Sequence, residues 1–131
     1  MDELYRENIL EHYKHPNHYG ELEHATIVQE EHNPLCGDQI TMYFLIEDDI
    51  IKDIRFKGKG CAISQAAASM LTDEVVGKST EYAKNLDKQC VLDLLGIPIG
   101  PVRLKCALLS LKAVKAGLYG VHVVEDEDDL L

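Results

Sequence analysis

The chain has 131 residues, 46% of them hydrophobic, which fits one soluble globular domain with a core of its own. Its formal net charge of −10 excludes a general nucleic-acid binder, because phosphates are met by basic patches. No apolar run approaches the ~20 residues that span a bilayer, and the acidic start Met1-Asp2-Glu3-Leu4 has no apolar signal region, so a cytoplasmic protein with no membrane partner is expected. In that compartment its four cysteines should be reduced, and reactive or metal-binding rather than bridged.

In chain order, residues 2–15 read as a helix, with Leu4, Tyr5, Ile9, Leu10 and Tyr13 at three- and four-residue steps. Pro16 closes it and residues 17–20 continue as a turn. The face packs on a core, and its two tyrosines leave room for a partner surface; separately, a homo-oligomer is left open. Residues 25–32 form a first strand, broken by His32-Asn33-Pro34-Leu35. Residues 39–46 form a second, rich in β-branched and aromatic residues. After the turn Glu47-Asp48-Asp49, residues 50–57 form a third, antiparallel to the second.

Such a sheet needs cover on one face. Ala62 to Val76 reads as a helix of small residues able to approach it closely, ended by Gly77. Ser79 caps a short helix through Lys84, residues 87–95 make another stopped by Gly96, and Ile97 to Pro101 is a rigid connector. The last helix is expected from Cys106 to Tyr119. The order of helix, three strands, then helices packed on one sheet face is an α+β fold. Residues 1–120 are read as the domain and 121–131 as an acidic tail, since Glu125 to Asp129 is an unbroken run of five acids.

Three cysteines stand at element boundaries: Cys36 in Pro34-Leu35-Cys36-Gly37-Asp38, Cys61 after Gly58-Lys59-Gly60, and Cys106 after Lys105. Thiolates are soft anionic donors for zinc and for iron–sulfur irons. With 24 residues between the first two and 44 between the last two, spacing alone is a poor metal signal, and each cysteine singly reads as a small buried hydrophobe. The local contexts add weight. Cys61 precedes one expected helix and Cys106 starts another, the positive helix ends favour anionic sulfur, and Lys105 adds a cation. Asp38, otherwise a turn residue, supplies a carboxylate two positions after Cys36. Three thiolates and one carboxylate make four ligands, enough for tetrahedral zinc or a two-iron cluster, with the hard oxygen as the weak bond. Cys90 sits among Val91, Leu92 and Leu94 and reads as structural. The six histidines, none beside a cysteine, read as solvent-facing.

Taken together, Ile9-Leu10-Glu11-His12-Tyr13 with Pro16, Cys36-Gly37-Asp38, Gly60-Cys61 with Ile63-Ser64, and Pro101-Val102-Arg103-Leu104-Lys105-Cys106 resemble the iron–sulfur cluster scaffold family of IscU, SufU and the N-terminal domain of NifU, over about residues 3–120. The resemblance implies a carrier rather than an enzyme. A cysteine desulfurase delivers persulfide sulfur, iron and electrons join it, a [2Fe–2S] cluster forms, and apo-proteins receive it. Cys36, Cys61 and Cys106 match the ligand and sulfur-acceptor cysteines, and Asp38 matches the aspartate that keeps the cluster labile or ligates metal. Lys105 stands where IscU proteins have histidine and is similar to SufU, while the short gap before Cys106 is similar to IscU. The resemblance therefore carries a second reading, a SufU-like sulfur acceptor with Zn2+ on the same four residues; a structural zinc domain is a third. The segment before Cys106 is similar to one that chaperones recognise in IscU, without its paired prolines.

Overall fold

The pleat of the middle strands decides what lies inside. In β2 (Asp38–Glu47), the residues Asp38, Ile40, Met42 and Phe44 share one face and are all buried, while the residues between them are half-exposed. β2 pairs antiparallel with β1 (Ile27–Asn33) on one side and β3 (Ile50–Lys59) on the other, giving the sheet order β1-β2-β3. The computed structural model describes residues 2–33 and 37–119. Cys36 and the tail expected at 121–131 lie outside the described residues.

Asp48 and Asp49 both adopt left-handed φ, 54° and 62°, as a two-residue hairpin between paired Glu47 and Ile50 requires. The register slips between Leu45 and Ile46, so that β3 carries Lys52 as an extra residue. That bulge is why Ile51 and Ile54, three apart, both face inward.

The helices are α1 (Asp2–Lys14), α2 (Ala62–Val75), α3 (Thr80–Lys84), α4 (Lys88–Leu95) and α5 (Pro101–Tyr119). Ser79 and Asp87 cap α3 and α4, accepting from the amides of Tyr82 and Cys90, and Gly96 ends α4 in the left-handed region at φ +72°. α2 is central. Its run Ser64–Thr72 is buried throughout, possible because alanines and serines leave room for α1, α4, α5 and β3 around it. No helix among the described residues is long and apolar enough to cross a membrane.

Three expectations need correction. α5 begins at Pro101, so Cys106 is five residues inside the helix rather than at its start. Proline suits a first helical position, where its missing N–H is no loss, and so helix begins where a connector was expected. α1 buries only Ile9 deeply; Leu4, Tyr5, Leu10 and Tyr13 remain exposed. Two histidines read as solvent-facing fasten this end of the chain instead. Half-buried His12 shares a hydrogen bond with Ser69 Oγ (Nδ1 to Oγ, 2.7 Å), and half-buried His18 lies 3.1 Å from Asp73.

Candidate metal centre

Asp38 opens β2 and follows the inward parity of Ile40, so a carboxylate is carried to the core side of the sheet and is 2% exposed. Burying it is costly unless it is paired. Its first partner comes from the turn into α2. The Cys61 N–H donates to Asp38 Oδ1 at 3.0 Å, and Oδ2 lies 3.9 Å from Cys61 Sγ. Cys61 is the N-cap of α2, with extended backbone and no hydrogen bond from its side chain to the helix, so the sulfur is turned to the site rather than to its own helix.

Gly60 makes this approach possible. Its φ is +141°, and a Cβ there would stand 2.1 Å from Asp38 Oδ1 and 3.0 Å from Asp38 Cα. Only glycine allows both the backbone turn and the contact.

Cys106, 1% exposed, comes from α5. Asp38, Cys61 and Cys106 each present a ligand atom, and the three atoms lie within 4.8 Å of one another. A tetrahedral ion with metal–sulfur bonds of about 2.3 Å sets neighbouring sulfurs about 3.8 Å apart. The described part of the donor set is therefore close to what one ion needs, and its chemistry, soft sulfur with one hard oxygen, suits zinc or iron. Cys36 falls outside the described residues. Its neighbour Gly37 has φ +73° and donates to Asn33 O at 2.9 Å.

Lys105 is exposed; about 100° of helix rotation separates it from buried Cys106. Cys90 and the histidines stand outside the group. The Cys90 thiol is pushed above its usual range, first by burial and then by Glu74, Asp87 and Asp93, which opposes its use as a thiolate.

Two neighbours of the site escape a reading of the sequence. Gly60 looks like one glycine of a Gly-Lys-Gly loop, and only the contact with Asp38 reveals its task. Asn33 reads as part of a strand break, yet it pairs with Asp38 in the sheet and its Nδ2 lies 3.9 Å from Cys106 Sγ. The inward parity of residues 27, 29, 31 and 33 was the available signal, once β1 is known to run to Asn33.

Residues 4–123 match the family described as the NifU-like N terminal domain. The chain belongs to that family. It is 37% identical to the zinc-dependent sulfurtransferase SufU of Bacillus subtilis, over 90% of this chain and 91% of the relative. It is 33% identical to the iron–sulfur cluster assembly scaffold protein IscU of Thermotoga maritima, over 88% and 92%. A crystal structure of the N-terminal part of a nitrogen-fixing NifU-like protein from Brucella abortus superposes with a TM-score of 0.72 at 25% identity, covering 90% of this chain and 94% of that one. The helix, three-stranded antiparallel sheet and following helices are thus the architecture of this NifU-like family.

Proposed function

We propose that the chain is an iron–sulfur cluster assembly scaffold. It accepts sulfur from a cysteine desulfurase, holds a labile [2Fe–2S] cluster as cargo on Cys36, Asp38, Cys61 and Cys106, and passes that cluster to apo-proteins. Residues 1–120 form the scaffold domain and 121–131 an acidic tail. The work is cytoplasmic, and a chaperone would meet the start of α5. The observation that carries the reading is the buried carboxylate of Asp38, fixed by the Cys61 amide and set among cysteine sulfurs. A carboxylate oxygen is a harder donor than the thiolates that cluster irons favour and is the weaker bond of the set, which suits a cluster that must leave. The name of the Thermotoga maritima relative supports the same activity, while that of the Bacillus subtilis relative supports the second reading below.

Sulfur arrives by exchange. A scaffold thiolate attacks the outer sulfur of the desulfurase persulfide; a new S–S bond forms, the old one breaks, and the desulfurase leaves as its thiolate. No oxidant is needed. Converting that sulfur to sulfide takes two electrons, which an external reductant supplies. Half-buried Cys61 is the accessible acceptor among the described cysteines of the site, and Lys105 would support transfer at Cys106.

One observation favours the second reading, a zinc-dependent sulfur acceptor. Donor atoms all within 4.8 Å fit a single ion more closely than donors spread across two irons. Zinc, when bound, would hold the thiolates deprotonated at neutral pH. The two readings separate on anaerobic purification, with metal and sulfide analysis before and after reconstitution with iron, cysteine, a desulfurase and a thiol reductant. A visible cluster with stoichiometric sulfide is expected. Zinc that persists, with no cluster formed, would leave only the acceptor. Asp38→Ala should make a formed cluster persist several-fold longer; faster bleaching would count against the carboxylate as the weak bond.

A further inference from the structure

The inner face of β1 is unusually polar for a face against a helix. It presents Ile27, Gln29, Glu31 and Asn33 towards α5, and the row is partnered as it goes. Gln29 donates to Glu31 at 2.8 Å, Glu31 lies 3.8 Å from Lys112 of α5, and at the end of the row Asn33 Nδ2 meets Cys106 Sγ at 3.9 Å. Asn33 is 7% exposed and Cys106 1%. The backbone of Asn33 is pinned by the site itself, through its pairing with Asp38 and the Gly37 amide on its carbonyl. Its Cβ therefore stays at a fixed place relative to the carboxylate and the sulfurs, and the carboxamide turns about only two side-chain torsions.

Charge explains why a donor is needed there. The two described thiolates and the carboxylate bring three negative charges. A divalent ion, or a two-iron cluster core of the same charge, cancels two of them. Buried Cys106 and Asp38 are then helped by N–H groups directed at them. A carbonyl oxygen turned to the same sulfur would repel it, so the amide must present its nitrogen.

We infer that Asn33 is a positioning residue for Cys106. Its carboxamide N–H holds the sulfur on the side facing Asp38 and Cys61, and offsets part of the thiolate charge when the site is filled. The second half of this inference rests on the metal and cluster reading above.

Two measurements test it on the full chain. In the metal-free protein, the side-chain amide resonances of Asn33 should move on Cys106→Ala, and by more than on Cys61→Ala; amide signals indifferent to Cys106 would overturn the contact. In the cobalt(II)-loaded protein, Asn33→Asp keeps the shape, loses the donor and adds a negative charge beside the sulfur. It should shift the thiolate-to-cobalt charge-transfer absorption and weaken cobalt retention against a chelator by about 10–100-fold. Asn33→Gln, which keeps an amide one methylene further out, should fall between. An unchanged band and affinity in Asn33→Asp, with melting as in the parent chain, overturns the positioning role. If the parent chain takes up no cobalt, the metal reading fails, and the amide resonances alone decide whether Asn33 holds Cys106.

Discussion

Cys61 caps the start of α2, half-buried, with an amide hydrogen bond to Asp38 beside it; Cys106 lies five residues inside α5, 1% exposed, with the Asn33 carboxamide beside it. The sequence places both cysteines at helix starts and gives both the same reason to be anionic. The structure keeps that reason for Cys61 alone, because the field of a helix end falls off within its first turn. At Cys106 a side-chain donor from another element stands in its place. One site thus draws on two kinds of support, a helix terminus with free backbone amides and a packed interface with a buried amide. The first depends on a glycine, the second on the contact of α5 with β1.

The comparison breaks most sharply at Gly60. Gly60→Ala forces a Cβ to within 2.1 Å of Asp38 Oδ1 at a φ of +141°, so the loop must move away from β2. Chemical denaturation should show a loss of about 2–4 kcal/mol, from overpacking and backbone strain together. Metal retention should fall with it. Gly77 also has a positive φ, +82°, in the left-handed region that other residues enter at less cost, with open space where a Cβ would stand. Gly77→Ala should therefore cost only about 1–2 kcal/mol and leave metal binding intact. Equal losses at the two glycines would show that the close approach of Gly60 to Asp38 carries no weight.

Access gives a smaller effect. In the metal-free chain carrying Cys36→Ser, mass spectrometry of timed iodoacetamide labelling should find Cys61 modified at least about tenfold faster than Cys106, since a fully buried sulfur reacts only after local opening. Half-buried Cys90 should lag behind Cys61 near neutral pH. Its raised thiol pKa means less thiolate there, and its rate should climb as pH passes above the ordinary thiol range near about 8.5. Cys106 labelling as fast as Cys61 would mean that α5 does not shield its sulfur.

Much of this was legible in the residues. The pleated runs of β2 and β3, the acidic turn between them, the caps Ser79 and Gly96 and the small-residue helix all express local preferences that the folded chain keeps. Pairing Asp38 with the cysteines rested on its place two residues after Cys36 and on a resemblance between motifs, and the inward parity of β2 shows what turns the carboxylate to the core. What stayed hidden depends on contacts between distant segments. Nothing local to Gly60 announces Asp38, and nothing local to Asn33 announces Cys106, 73 positions away. α1 misled for the same reason. Its apolar spacing is real, but α2 offers it a surface of serines and alanines, where His12 and Asn17 meet Ser69 and most of the apolar face stays outside.

The finest contrast sets one serine against another. Ser64, in the first turn of α2, is fully buried and donates its hydroxyl to Cys61 O at 3.1 Å. Ser110, one turn beyond Cys106 in α5, is as deeply buried, and its Oγ has no hydrogen-bond partner among the described residues. An unmet buried hydroxyl is a burden of about 1–3 kcal/mol, and alanine is also the better helix former by roughly 0.5 kcal/mol. Against these gains stands the small void the lost oxygen leaves. Ser110→Ala should come out about 0.5–1 kcal/mol more stable, raising the melting temperature by about 2–6 °C, while Ser64→Ala should lose about 1 kcal/mol. A destabilised Ser110→Ala chain would reveal that the Cys106 helix, like the Cys61 helix, uses its buried hydroxyl.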